Sequence, residues 1–253
     1  MKRTVVVSGG GTGIGRAVAR SFVLSGDAVV IVGRRPSVVR ETAARLNAEA
    51  ERAQTMGRAE PLPGDLEEPD QVAGLADAIR LQYGGVVDVL VNNAGGIDRR
   101  PARTLAEIAD SWLRDFRSNV LTAVLLTEAL SPVLRRPGGR IINMSSIAAL
   151  RGGAGSYSAA KAALVGWTFD LAQSLGQEGV TANVVAPGYI AGTEFFGDTM
   201  TPERHQRLVA RTLVGRAGTA EDVAATVHFL ASEGASYITG QVVQVNGGAL
   251  LGR

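Results

Sequence analysis

Short apolar, β-branched runs alternate with longer helix-like segments along this chain. The runs at residues 4–7, 28–32, 58–62, 86–91, 140–144, 180–186 and 241–245 predict strands. Between them, residues 13–25, 36–55, 69–83, 104–134, 157–175 and 219–231 predict helices. Thr104 with Glu107, and Thr219 with Asp222, have the spacing of a capping box. Strands that are apolar throughout, rather than alternating with polar residues, are buried on both faces. Flanked by helices, they predict an α/β fold, a doubly wound parallel sheet of about seven strands covered on both sides. Nothing reads as a linker or a repeat, so residues 1–253 are expected to form a single domain. Residues 190–213 break the alternation with Gly192, Phe195, Phe196, Gly197 and a Thr201-Pro202 helix start. They follow the carboxyl end of a strand, where ligands bind in such sheets, and predict a substrate lid.

Charge and composition narrow the function. The formal net charge is only +2, with no basic tail and no block of like charge, which argues against nucleic acid. No uncharged apolar run reaches ~18 residues, which argues against a membrane span. The basic start and short apolar run of residues 1–7 pass directly into a glycine-rich turn, so they read as a first strand rather than a signal peptide. The chain has no cysteine, hence no disulfide and no thiolate metal site; no metal is expected, and cytoplasm is the expected location.

The turn is Ser8-Gly9-Gly10-Gly11-Thr12-Gly13-Ile14-Gly15. Glycines at a strand-to-helix junction allow a sharp turn and let a pyrophosphate approach the free N–H groups of the helix. The spacing, Gly-x-x-x-Gly-x-Gly, differs from the common dinucleotide fingerprint, and a tight turn without ligand has the same composition. The second strand ends in Val32-Gly33-Arg34-Arg35 with no carboxylate nearby. An acidic residue there takes the ribose 2′-hydroxyl of NAD, whereas arginine accommodates a 2′-phosphate. Arg34 and Arg35 therefore predict NADP(H). Asp65, followed by Leu66, has the chemistry to accept a bond from an adenine amino group or to make an Asx turn.

Tyr157 and Lys161 are four residues apart in a helix-compatible stretch, so they share one face. A phenol ionises near pH ~10. A lysine cation beside it favours the phenolate, bringing its pKa toward working pH for proton exchange with an alcohol or carbonyl.

These pieces stand in a set order: the glycine turn, Asn92-Asn93-Ala94-Gly95, Asn119, Ser146, Tyr157-x-x-x-Lys161 and Pro187-Gly188. In that order they resemble the short-chain dehydrogenase/reductase family along almost the whole chain. The similarity is greatest to the subgroup that includes 3-oxoacyl-[acyl-carrier-protein] reductases. The resemblance implies a Rossmann-type fold and an NADP(H)-dependent reductase turning a ketone into a secondary alcohol. A 3-oxoacyl thioester or polyketide-like carbonyl, carrier-protein- or CoA-bound, is the implied substrate class. It makes Tyr157 the acid/base, Lys161 its partner and the holder of the nicotinamide ribose, Ser146 the donor to the substrate oxygen, and Asn119 the anchor of a water. Ser8, Gly9, Gly11, Thr12, Gly13, Ile14 and Gly15 would surround the pyrophosphate. Asn92, Ala94 and Gly95 would line the cofactor cleft. Ile190, after Pro187-Gly188, would face the carboxamide with Thr193 beside it. A homotetramer is implied, with the helices of residues 104–134 and 157–175 at one interface.

The chain departs from the family pattern in three places. Ser8 stands where threonine is usual. The interval from Ser146 to Tyr157 is two residues short, which requires a tight loop over 149–156 and leaves Ser145 as a competing active serine. Thr193 falls one position late. Two other readings remain open: an alcohol or sugar dehydrogenase working in the oxidative direction, and a nucleotide-binding sensor without turnover. Arg99, Arg100, Arg103, Arg135 and Arg136 also offer positive surface to an acidic carrier protein.

Overall fold

Seven parallel strands form one sheet in the order β3-β2-β1-β4-β5-β6-β7 in this computed structural model, which describes residues 3–82 and 85–252, without the Asp198 side chain. The first half winds outward from the centre as β1 (Thr4–Ser8), α1 (Gly13–Leu24), β2 (Ala28–Gly33), α2 (Pro36–Arg52), β3 (Arg58–Pro63) and α3 (Pro69–Gln82). The chain then returns to the other side of β1 with β4 (Val89–Asn92) and α4 (Leu105–Phe116), followed by α5 (Thr122–Leu130) and β5 (Arg140–Met144). After β5 come α6 (Ile147–Arg151), α7 (Ser156–Leu175), β6 (Thr181–Pro187), α8 (Pro202–Val209), α9 (Ala220–Leu230) and β7 (Val242–Val245). The reversal between β1 and β4 opens a crevice at the carboxyl ends of the strands.

Alternation along each strand divides the core into two layers. Val5, Val7, Val29 and Ile31 pack with α1, α2 and α9 on one side of the sheet. Val6, Val30 and Val32 pack with α3, α5 and α7 on the other. Each fully buried aliphatic side chain contributes roughly 1.5–3 kcal/mol. This double coverage is why the strands read as continuous apolar runs. Among the described residues, no helix is long and apolar enough to cross a membrane.

The elements match the expected alternation, with local differences. Both capping boxes form, Thr104 with Glu107 and Thr219 with Asp222. Strand β4 begins at Val89 rather than at residue 86, because the Asp88 carboxylate accepts the Thr4 N–H at 2.7 Å just before it. The long helix expected over 104–134 is divided by a π turn at Arg117–Leu121. The loop expected over 149–156 begins three residues late, since α6 extends to Arg151; Ser146 caps it by accepting the Ala148 N–H at 3.1 Å. Tyr83, the last residue expected in the third helix, lies outside the described residues.

Candidate active site

A cleft of about 1440 Å³ runs along the carboxyl ends of the strands. Gly9, Gly11, Thr12, Gly13, Ile14 and Gly15 line one part of it. Thr12 is the N-cap residue of α1, but its side chain makes no capping bond, so the amides that open α1 are left to a ligand. Gly15 lets α1 lie against the turn: a Cβ there would sit 2.2 Å from the Gly9 carbonyl oxygen. An anionic diphosphate suits this cradle of unpaired N–H groups and absent side chains.

Two residues expected at the ligand are instead beneath it. Ser8 is 1% exposed and does not line the cleft; its hydroxyl accepts the N–H groups of Asn93 and Ala94, both at 2.9 Å. It thereby ties β1 to the loop after β4. Asn92 is 3% exposed and donates at 2.8 Å to both Thr127 Oγ1 and Asn143 Oδ1. The strand pleat turns its side chain into the core, and neighbouring Asn93 faces the cleft. Asn93 Nδ2 donates to the carbonyls of Ser8 and Gly9 at 3.0 and 3.2 Å. Ala94 and Gly95 also line the cleft.

Arg34, Arg35, Asp65 and Leu66 line the cleft beyond β2. Arg35 pairs with Glu194 at 2.8 Å, and Arg34 lies 3.7 Å from Glu67. Asp65 Oδ1 accepts the Glu67 N–H at 3.0 Å, which is an Asx turn.

At the other end, Tyr157, Lys161, Ser145 and Ser146 meet in the cleft. The Ser145 hydroxyl is committed, donating to the Lys161 carbonyl at 2.7 Å from a 3% exposed position. Ser146 has its hydroxyl beside Tyr157. Burial pushes the Tyr157 phenol up to about 12; the Ser146 hydroxyl and the Arg99 cation oppose the rise, and the Asp115 carboxylate adds to it. This corrects the expectation of a phenol lowered by its lysine. Lys161 is itself buried, and that burial brings it down to about 8 against the attraction of Asp115. Its Nζ donates to the Met144 carbonyl at 2.9 Å and lies 5.7 Å from the Tyr157 ring centroid.

Asn119 is fully buried in the π turn and does not line the cleft. It braces the loop after β4: Nδ2 donates to the carbonyls of Gly96 and Asp115 at 2.7 and 2.8 Å, and Oδ1 accepts the Gly96 N–H at 3.1 Å. Asp115 is the functional-site residue that the sequence reading missed. It is 1% exposed, accepts the Asp98 N–H at 2.7 Å and accepts the Ser156 hydroxyl at 2.6 Å. Its one sequence signal is its place four residues before Asn119, on the same helix face.

Pro187, Gly188, Ile190 and Thr193 close the cleft from the end of β6. Residues 190–213 then bring Phe195 to 5.4 Å from the Tyr157 ring, centroid to centroid. Phe196 packs edge-on between Phe195 and Tyr189. Among the described residues, no cluster of His, Cys, Asp and Glu is arranged to hold a metal ion.

The family profile described as Enoyl-(Acyl carrier protein) reductase matches residues 9–249, nearly the whole chain. The chain belongs to the short-chain dehydrogenase/reductase family. Members of this oxidoreductase family act between CH–OH and C=O groups. The NADPH-dependent aldehyde reductase-like protein, chloroplastic, of Arabidopsis thaliana is 36% identical, covering 97% of this chain and 93% of the relative. The 3-oxoacyl-[acyl-carrier-protein] reductase FabG of Salmonella typhimurium is 32% identical over 97% of this chain and 96% of its own. Among solved structures, a blue fluorescent protein from a metagenomic library in complex with NADPH is 34% identical, with a TM-score of 0.85 and 98% of each chain covered. A 7α-hydroxysteroid dehydrogenase complexed with NADH and 7-oxo glycochenodeoxycholic acid is 29% identical, with a TM-score of 0.85, covering 97% of this chain and 93% of that one.

Proposed function

We propose that this chain is an NADPH-dependent reductase that converts a ketone to a secondary alcohol. The observation that carries the reading is that Tyr157, Ser146 and Lys161 line the same cleft as the glycine turn before α1. The same phenol can serve as acid in reduction or base in oxidation; the Arg34–Arg35 pair at the end of β2, which suits NADPH, is what favours reduction. When bound, the nicotinamide cofactor supplies the hydride. Ser146 donates a hydrogen bond to the carbonyl oxygen, and Tyr157 transfers its proton to that oxygen as the alcohol forms. Lys161 then stabilises the tyrosinate electrostatically until a proton from solvent restores the phenol. Asn119 and Asp115 hold the surrounding backbone.

NADP(H) rests on Arg34 and Arg35 at the end of β2. Their ion pairs are solvent-exposed and weak, so a 2′-phosphate can replace Glu194 or Glu67 as partner. The Arabidopsis relative named as NADPH-dependent supports this choice, while the hydroxysteroid dehydrogenase complex holds NADH. We read residues 1–253 as one catalytic domain with 190–213 as its lid, a small carbonyl compound as substrate, free or as a 3-oxoacyl thioester, and the cytoplasm as its location.

The test follows NADPH absorbance with a ketone panel headed by an acetoacetyl thioester, alongside equilibrium binding of NADPH and NADH. Turnover should fall by about 10³-fold or more in Tyr157→Phe with NADPH binding retained. Near-normal turnover in that variant would remove the assignment of Tyr157, and equal affinity for the two cofactors would remove the preference for NADPH.

A further inference from the structure

The substrate end of the cleft is lined by Arg99, Arg100, Arg114, Arg151, Arg204 and Arg211. Among the described residues, the carboxylates in this part of the cleft are Asp98, Asp115 and Glu194, and Glu194 is paired with Arg35. Asp98 is only 7% exposed in its side chain and is already shared by Arg100 at 2.7 Å and Arg114 at 2.9 Å. Asp115 is committed to Asp98 N–H and Ser156 Oγ. Among the described residues, Arg99 has no carboxylate partner, yet it is held in place. Its Nη2 donates to the Phe195 carbonyl at 2.9 Å, and its guanidinium carbon lies 5.6 Å from the centroid of the Phe195 ring. Phe195 in turn packs on Tyr157. Arg204 is braced in the same manner, 5.2 Å from the centroid of the Phe196 ring and bonded to the Thr199 carbonyl at 3.0 Å. A merely solvated arginine samples many rotamers, whereas these two are oriented on the aromatic pair that covers the acid/base. A guanidinium fixed in this way loses little freedom on meeting a carboxylate or phosphate and still has free donors for it.

We propose that the substrate is an anionic carbonyl compound: its carboxylate or phosphate is bound by Arg99, with Arg204 alongside, while its carbonyl lies against Tyr157 and Ser146. This rests on the reductase reading above and narrows its substrate class. The anion lies on the small molecule itself, a few bonds from the reacting carbon, and so differs from an acidic carrier protein docked on the outer surface.

The experiment compares matched pairs with NADPH: 2-, 3- and 4-oxocarboxylates against their own methyl esters, and dihydroxyacetone phosphate against dihydroxyacetone. The expected result is a kcat/KM at least about tenfold higher for the anionic member of the productive pair at low salt. That advantage should shrink as ionic strength rises. Which set responds distinguishes carboxylate from phosphate. In Arg99→Gln the advantage should disappear through KM while the neutral partner changes less than about twofold. Arg99→Lys should restore part of it, and Arg103→Gln, outside the cleft, should leave both members unchanged. Neutral members turned over as well as anionic ones across the panel would overturn the inference. So would an equal loss of both members in Arg99→Gln, which would make Arg99 only a brace for Phe195. Absence of turnover for every pair, with NADPH bound, would instead remove the reductase reading, and the substrate class with it.

Discussion

Lys161 is a cation enclosed by protein, and its main bond is to one backbone carbonyl, that of Met144. Its affinity for the proton is lower in the fold, about 8, than the 10.5 of a free side chain. The unfolded chain therefore binds that proton more tightly. The cost of burying the charge is complete below pH ~8 and fades as pH rises from there toward 10.5. Lys161→Met removes the charge and keeps the apolar stem. Denaturant unfolding should find it more stable than the parent at pH 7, by on the order of 1–3 kcal/mol, and the gap should narrow by pH 9.5. A gap independent of pH would mean that packing, not charge, sets the difference. Tyr157 stays out of this window, because burial holds its proton to about 12.

The break between α4 and α5 is where an element acquires function. A regular helix over 104–134 would continue one row of side chains; the π turn at Arg117–Leu121 instead re-aims those that follow. It lets Asn119 grip the loop after β4 while Asp115, one turn earlier, grips that loop and the start of α7. Asp115→Asn can keep both bonds, since its oxygen still accepts from Asp98 and the Ser156 hydroxyl can turn to accept. Asp115→Leu can keep neither. The leucine variant should lose ~1–3 kcal/mol of stability for each orphaned group, and the asparagine variant much less, in urea unfolding. Equal losses would show that the buried negative charge, rather than the two bonds, is what matters there.

Across the whole molecule, the apolar surface is uneven. Ile108, Trp112 and Phe116 form a stripe at helical spacing on the outer side of α4, each at least 40% exposed, and Phe169 on α7 is equally exposed. Exposed stripes of this kind mark surfaces that a partner covers. We propose that a second copy of the chain covers this stripe, in the homotetramer that the family resemblance implies. Light scattering should report four chain masses. The double variant Trp112→Glu/Phe116→Glu should fall to a smaller species with its helical spectrum intact. A parent that runs as a monomer would refute the proposed assembly.

Much of this protein is written locally. The β-branched runs, the threonine caps and the glycine turn act over a few residues, so periodicity and backbone sterics suffice to place the sheet, its helices and the dinucleotide crevice. The shared face of Tyr157 and Lys161 is local too. Tertiary packing decided what lies around them. It turned Asn92 into the core and Asn93 outward, committed Ser145 to a carbonyl and left Ser146 beside the phenol. It raised Tyr157 rather than lowering it, because desolvation depends on how many neighbours close over a group and not on which residue stands four positions away. Asp115, Arg99 and the Arg35–Glu194 pair carry no motif at all. Their partners lie 17 to 159 residues distant in the chain, and only folding brings these side chains within reach of them.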